Sequence, residues 1–267
     1  MADSPISSIQ NPKIRLLLAL QQKSSERKHT GLFVVEGKRE LTHCRNAGYE
    51  IDTVFYCPTL VEEHELSELL RESGARSFAV TPEIYEKIAY RGSTEGLIAE
   101  VKEKRLLLNE LQLRSNPLIM VVERVEKPGN LGAILRTADA AQADAVIICD
   151  PLTDLYNPNF IRSSIGAVFC VPTVVCTSEE CIQFLKQHHV RILTAQLQDS
   201  SLYYDTDMRG ATAIVMGTES TGLTNQWRLA ADAHIRIPML GQMDSLNVSV
   251  SAAILLFEAV RQRQGVG

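Results

Sequence analysis

From residue 118 onward, short apolar runs recur between stretches of helical spacing. The runs fall at 118–122, 145–148, 191–195, 213–216 and 234–237, and helical patterns lie at 131–141, 178–187 and 224–230. The first run, Leu118-Ile119-Met120-Val121-Val122, has no polar alternation at all. A strand with one wet face would alternate, whereas an unbroken apolar run is covered on both faces. Buried strands alternating with helices predict an α/β fold with a mostly parallel sheet under two helical layers. Ligands of such sheets bind beyond the carboxyl ends of the strands. The polar residues after each strand are therefore where chemistry is expected.

Three of those stretches stand out. After the run at 118–122 comes Glu123 to Arg136, where Gly129 and Gly132 let backbone approach a neighbour closely. Asn130 is placed to cap the following helix, and Arg136 lies six residues further on. Arg136 reads either as a surface ion-pair partner or as a functional cation. The pattern G-x-G-x-x-G is missing, so a dinucleotide loop is not expected. After the run at 213–216 comes Gly217-Thr218-Glu219-Ser220-Thr221-Gly222-Leu223. Gly217 allows close approach of a ligand. Glu219 either takes a hydrogen-bonding or proton role or complements the dipole of the next helix. After the run at 234–237, Pro238 ends the strand and Gly241 permits a turn. Asp244 or Ser245 is expected to cap a helix running from Leu246 to about Arg263. Ser245, Asn247, Ser249 and Ser251 crowd its cap and first turn. They suit either a polar helix start or a ligand beside unpaired N–H groups. A smaller signal is Arg162, which could bind a phosphate or pair with an acid.

The N-terminal half reads as a smaller α/β unit. A helix is expected over 11–21 with Pro12 in its first position, then a polar, mostly basic stretch over 23–29. Strands are expected at 32–35, 53–56, 77–80 and 96–101, and helices at 60–73 and 82–89. Ser115-Asn116-Pro117 breaks the chain. The expected domains are therefore residues 1–105 and 117–267, with 106–116 as linker. The net charge of −5 gives no general attraction to nucleic acid. Between residues 11 and 45, however, eight Lys and Arg face three acids, a local excess of five. That face is either solvated or anion-binding. Six cysteines form no C-x-x-C pair, and Cys176, Cys181, His188 and His189 fit no usual zinc spacing. Free cysteines and no metal are expected. With no secretory pattern at the start and no run near the ~18–20 apolar residues of a membrane span, a cytoplasmic protein is expected.

In combination, Asn130, Gly132 and Arg136, then Gly217, Glu219, Gly222 and Leu223, then Ile237, Pro238 and Met239 with residues 245–249 resemble the three motifs of the SpoU/TrmH family. These are RNA ribose 2′-O-methyltransferases of the SPOUT superfamily, and the likeness spans about 117–264. Asn11-Pro12-Lys13-Ile14 and residues 33–39 are similar to the substrate-binding domain of the rRNA-modifying members. The chain departs at Ser93-Thr94-Glu95-Gly96, where relatives often carry Pro-Gln before the glycine. The resemblance implies a trefoil knot in the parallel sheet, preceded by a ribosomal-protein-like α/β domain. It implies S-adenosylmethionine as cofactor and a homodimer through the C-terminal domain. Cofactor contacts would come from Ala195, Gln196, Gly217, Ile237, Met239 and Leu246. Arg136, Asn130, Glu219, Ser245 and Asn247 would form the catalytic group. RNA would be held by Lys13, Arg15, Arg27, Lys28, Lys38, Arg39 and Arg162. The two-domain layout favours rRNA. Alternatives are a tRNA ribose methyltransferase, a catalytically silent RNA-binding homologue, and an enzyme methylating a base or a protein.

Overall fold

The computed structural model describes residues 4–71, 73–90, 95–218 and 220–265, so Ser93 and Thr94 lie outside the described residues. The chain divides into two compact units: Met1–Lys104 with Asp154–Cys170, and Arg105–Thr153 with Val171–Gly267.

In the first unit, α1 (Pro12–Gln22) starts as its sequence dictates. Asn11 accepts from the Lys13 N–H, and Pro12 fills a position that needs no donor. The polar stretch after it is also helical, α2 (Ser24–Thr30), and ends on Gly31 at φ +66°. Then follow β1 (Leu32–Glu36), α3 (Lys38–Asn46), β2 (Ile51–Tyr56), α4 (Glu63–Leu70), β3 (Arg76–Ala79), α5 (Pro82–Ile88) and β4 (Leu97–Lys102). The strand order is β1-β4-β2-β3, with β4 antiparallel to both neighbours and β2 parallel to β3. Ile14, Leu17 and Leu20 of α1 share one buried cluster with Val34, Phe55 and Ile98 of the sheet.

The second unit opens with β5 (Leu118–Glu123), α6 (Pro128–Ala140) and β6 (Ala145–Cys149). The chain then returns to the first unit for α7 (Pro158–Ser164) and α8 (Ala167–Cys170). Aromatic and ionic contacts hold this insertion there. Tyr156 stacks on Phe33 at 4.2 Å between centroids, and Phe169 meets Tyr49 edge-on. Asp154 pairs with Arg27 at 2.7 Å. The second unit resumes with β7 (Thr173–Cys176), α9 (Ser178–Gln187), β8 (Arg191–Ala195), β9 (Ser201–Leu202), β10 (Thr212–Met216), α10 (Asn225–Ala230), β11 (Ala233–Arg236) and α11 (Val248–Arg263). Its seven strands are all parallel, in the order β7-β6-β5-β10-β8-β11-β9. The interior strands β5, β6 and β10 are buried along their whole length, as their apolar runs demand. The edge strands β7 and β9 were not anticipated. Both are short, and β7 buries only one of its four residues fully. Among the described residues, no helix is long and apolar enough to cross a membrane.

Two helix starts differ from expectation. Asn247, not Asp244 or Ser245, caps α11, because its side chain is the one that reaches the Ser249 N–H. Asn130 does not cap α6, which begins two residues earlier at Pro128. The side chain of Asn130 is thereby released for another partner.

A pH effect follows from β4. Glu100 is 3% exposed and keeps one carboxylate oxygen without a hydrogen-bond partner among the described residues. Burial, then the charge of Asp52, pushes its carboxyl up to about 7 from 4.5. The folded state therefore holds this proton more tightly than the unfolded chain. The resulting stabilisation is complete below pH 4.5 and is lost as pH rises through 7. Relative to Glu100→Gln, the wild type should lose on the order of 3 kcal/mol across that window. Urea unfolding of both proteins at acidic and alkaline pH measures the difference.

Candidate active site

A cavity of about 360 Å³ opens at the carboxyl ends of β8, β10 and β11. Its walls come from the residues that follow each strand, as a parallel sheet requires. Ala195 ends β8 and Gln196 follows it, Gly217 follows β10, Ile237 and Met239 follow β11, and Leu246 precedes α11; all six line it. Buried Met216, Ile235 and Leu255 make an apolar floor. Around it, Gln196 donates through Nε2 to the Gln198 carbonyl, while its buried Oε1 has no partner among the described residues. The volume is within the range of small-molecule sites. An apolar floor, a glycine-rich wall and one unsatisfied acceptor suit a ligand with an aromatic ring and an amino donor, which S-adenosylmethionine has.

Gly217 lines the cavity, and its own loop constrains it as well. A Cβ there would lie 2.3 Å from both the carbonyl carbon and oxygen of Gly222, and 2.5 Å from the Leu223 nitrogen. The chain doubles back at this point, with Thr218 bridging to Gly222 and Gly222 at φ +67°. Gly217 is thus required by its own loop before any ligand arrives. Thr218 accepts from the Thr221 N–H and further pins that loop. Glu219, inside it, lies outside the described residues.

Of the other expected catalytic residues, Ser245 lines the cavity. Asn247 does not, but its amide donates to Asn130 Oδ1 at 3.2 Å. Its own Oδ1 accepts from the Ser249 N–H and hydroxyl. One asparagine thus caps α11 and fixes the amide orientation of Asn130 on α6. Arg136, on α6, is exposed and is not among the residues lining the cavity of its own chain.

Sequence reasoning assigned no role to Glu123. It is 1% exposed and accepts from the Thr224 N–H at 2.8 Å and the Thr224 hydroxyl at 2.6 Å. The Ser178 hydroxyl stands 3.1 Å from Glu123 and 2.6 Å from Asp150, and it accepts from Trp227 Nε1. This network ties the end of β5 to the starts of α9 and α10. Its one sequence signal was a carboxylate closing an otherwise apolar strand.

The expected RNA contacts all lie in the first unit, Arg162 included. Lys13, Arg15 and Lys28 are exposed. Lys38 pairs with Glu65 at 2.6 Å and Arg39 with Glu40 at 2.8 Å, both cations staying partly exposed. Arg162 donates to the Tyr90 carbonyl and lies over the Tyr90 ring. Arg27 must be withdrawn as a phosphate contact. It is 2% exposed, pairs with Asp154 and donates to the Leu20 carbonyl, so its charge is spent inside the unit.

Residues 117–257 match the model of the SpoU rRNA Methylase family, and residues 11–99 match that of the MRM3-like substrate binding domain. The chain is 29% identical over 261 residues to the 23S rRNA (uridine(2479)-2'-O)-methyltransferase of Streptomyces viridochromogenes, covering 95% of this chain and 91% of that one. It is 37% identical over 180 residues to the 23S rRNA (guanosine-2'-O-)-methyltransferase RlmB of Pseudomonas putida, covering 65% of this chain and 73% of that one. Its fold superimposes on the crystal structure of the SpoU methyltransferase AviRb from Streptomyces viridochromogenes in complex with the cofactor AdoMet, with TM-score 0.88 and 28% identity over 96% of this chain and 99% of that one.

Proposed function

This chain belongs to the SpoU rRNA methylase family, and from that premise we propose how its own residues divide the work. It is an S-adenosylmethionine-dependent methyltransferase acting on a ribose 2′-hydroxyl of rRNA. One observation carries the assignment of its pocket: six residues from separate segments of the chain meet around one cavity, whose buried Gln196 oxygen needs a donor. Bound there, the cofactor supplies an electrophilic methyl on a sulfonium.

The chain's remaining task is to make a ribose hydroxyl nucleophilic and aim it. A guanidinium is cationic throughout the working pH range, so Arg136 serves as an electrostatic clamp on the neighbouring phosphate and the forming alkoxide. Asn130, held by Asn247, and Ser245 orient the ribose beside it. Glu219 is assigned to the same group on its motif position. We assign Arg136, which stands outside the cavity of its own chain, to the site of a second copy. A homodimer through the methyltransferase unit supplies that arrangement. The exposed apolar side chains Val250 and Phe257 on α11, with Leu240 and Met243 before it, support such an interface. The loops that wall the cavity, residues 217–223 and 237–247, are the segments we assign to a trefoil knot. We assign the reaction to the cytoplasm, a compartment that holds an rRNA substrate.

The first unit selects the RNA through Lys13, Arg15, Lys28, Lys38, Arg39 and Arg162. Arg15 and Lys28 are exposed and have no ion pair among the described residues, so replacing both with alanine should weaken rRNA binding. The logarithmic salt slope should fall by ~0.7–0.9 per lost phosphate contact, and cofactor affinity should not move. Filter binding across a salt series gives the slope; an unchanged slope would remove both residues from the interface. Ribose-methylation mapping of total RNA with and without this protein tests the proposed function. Loss of one or more 2′-O-methyl marks from rRNA is expected, and an rRNA pattern that stays complete would refute it.

A further inference from the structure

Three cysteines from three successive elements, β6, β7 and α9, meet in the second unit. The sulfurs of Cys149, Cys176 and Cys181 all lie within 4.8 Å of one another. Cys149 and Cys176 are register partners at the ends of the parallel strands β6 and β7, so their side chains leave the sheet on one face. Cys181, on α9, covers that face. Cys149 and Cys181 are fully buried, whereas Cys176 is half-buried on the edge strand β7. None takes part in the cofactor cavity.

We propose that this trio is a peroxide-responsive thiol site, with Cys176 as the reacting sulfur and Cys149 or Cys181 as the resolving thiol. Geometry separates the roles: only Cys176 can be reached from solvent, and both partners wait behind it at near-contact distance. The two neighbouring thiols hydrogen-bond to the Cys176 sulfur and pull its thiol down to about 5, against opposing effects of burial, Glu180 and Asp150. The thiolate is the reactive form. A cation bound by three thiolates is a poorer fit, because it would leave net negative charge in the core beside those two acids. A disulfide is neutral and leaves no such charge.

The chemistry balances with one hydroperoxide. The Cys176 thiolate attacks a peroxide oxygen; an S–O bond forms, the O–O bond breaks, and the departing hydroxide takes a proton to leave as water. Sulfur is oxidised to the sulfenic acid and the peroxide is reduced. The sulfur of the resolving thiol then attacks the Cys176 sulfur. The S–S bond forms as S–O breaks, and the thiol proton leaves with the hydroxyl as a second water. The sulfurs, within 4.8 Å of one another, must close to about 2.05 Å as the bond forms.

The test uses the full chain, reduced, then exposed to equimolar hydrogen peroxide, quenched in acid, alkylated and mapped by mass spectrometry. A loss of about 2 Da is expected, with a peptide linking Cys176 to Cys149 or Cys181. Exposed Cys170 provides the comparison: Cys170→Ser should leave the crosslink intact, while Cys176→Ser should slow loss of the other two thiols at least ~10-fold. The wild-type map decides the matter even where a variant folds poorly. Full alkylation of all three cysteines after peroxide, or oxidation confined to Cys170, would overturn the proposal, as would a Cys149–Cys181 crosslink forming at the wild-type rate in Cys176→Ser.

Discussion

Replacing Arg136 with alanine is expected to lower single-turnover methyl transfer by at least ~10²–10³-fold, the usual loss when one preorganised donor to a developing oxyanion is removed. Affinity for S-adenosylhomocysteine should stay at the wild-type value, because Arg136 is assigned to the phosphate and the forming alkoxide of the RNA and not to the cofactor. Arg136→Lys should recover part of the loss, since it returns the charge but not the planar fork that can grip phosphate and alkoxide together. Arg136 is exposed, so neither substitution removes a buried contact. A mixed dimer combining Arg136→Ala in one protomer with a blocked cofactor cavity in the other separates the subunit roles. If the intact arginine acts across the interface, half of the possible sites are built only from defective parts and the other half only from sound ones, so the mixed dimer retains activity. Full turnover by Arg136→Ala alone would remove the residue from the mechanism.

Replacing Gly217 with valine should abolish measurable cofactor binding, and the sharper form of the experiment is Gly217→Ala. If glycine were needed only to leave room for ligand, one methyl group could be absorbed at the cavity edge. The structure puts that methyl 2.3 Å from the backbone of Gly222, where no side-chain rotation relieves the overlap. The returning loop must then move, carrying Gly222 and Leu223 with it, and both line the cavity. Gly217→Ala should therefore weaken S-adenosylhomocysteine binding by ~10–100-fold by calorimetry, a displacement on the scale of core overpacking. Far-ultraviolet circular dichroism should stay near wild type, because the sheet beneath is untouched. Wild-type affinity in Gly217→Ala would show that the loop yields freely.

The interior of the second sheet was legible because β5, β6 and β10 are buried on both faces, and burial writes itself into sequence as unbroken apolar runs. The edges were not. β7 is four residues long with only one fully buried, and β9 is two residues long, both too short to show a period. The membership of residues 154–170 in the first unit was invisible for another reason. It rests on Tyr156 and Phe169 finding Phe33 and Tyr49, contacts more than a hundred residues apart that no local pattern encodes. Arg27 shows the converse error: a cation in a basic stretch reads as surface, but its partner Asp154 arrives from that same distant segment. Around the cavity, glycines and small polar residues after strand ends marked residues that line it, yet the second constraint on Gly217 was not legible, since backbone-on-backbone approach leaves the same glycine as ligand approach. Of the cysteine trio, the sequence set only Cys176 and Cys181 near each other, without a usual zinc spacing, and Cys149 joins them only once β6, β7 and α9 have packed.

The central claim is the position of the methyl group on its substrate. Purified protein is incubated with unmodified rRNA and methyl-labelled S-adenosylmethionine, and the RNA is digested to nucleosides and separated. Label in a 2′-O-methylnucleoside, absent when Arg136→Ala replaces the wild type, is the predicted result. Label on a base, or retained in protein, would contradict it.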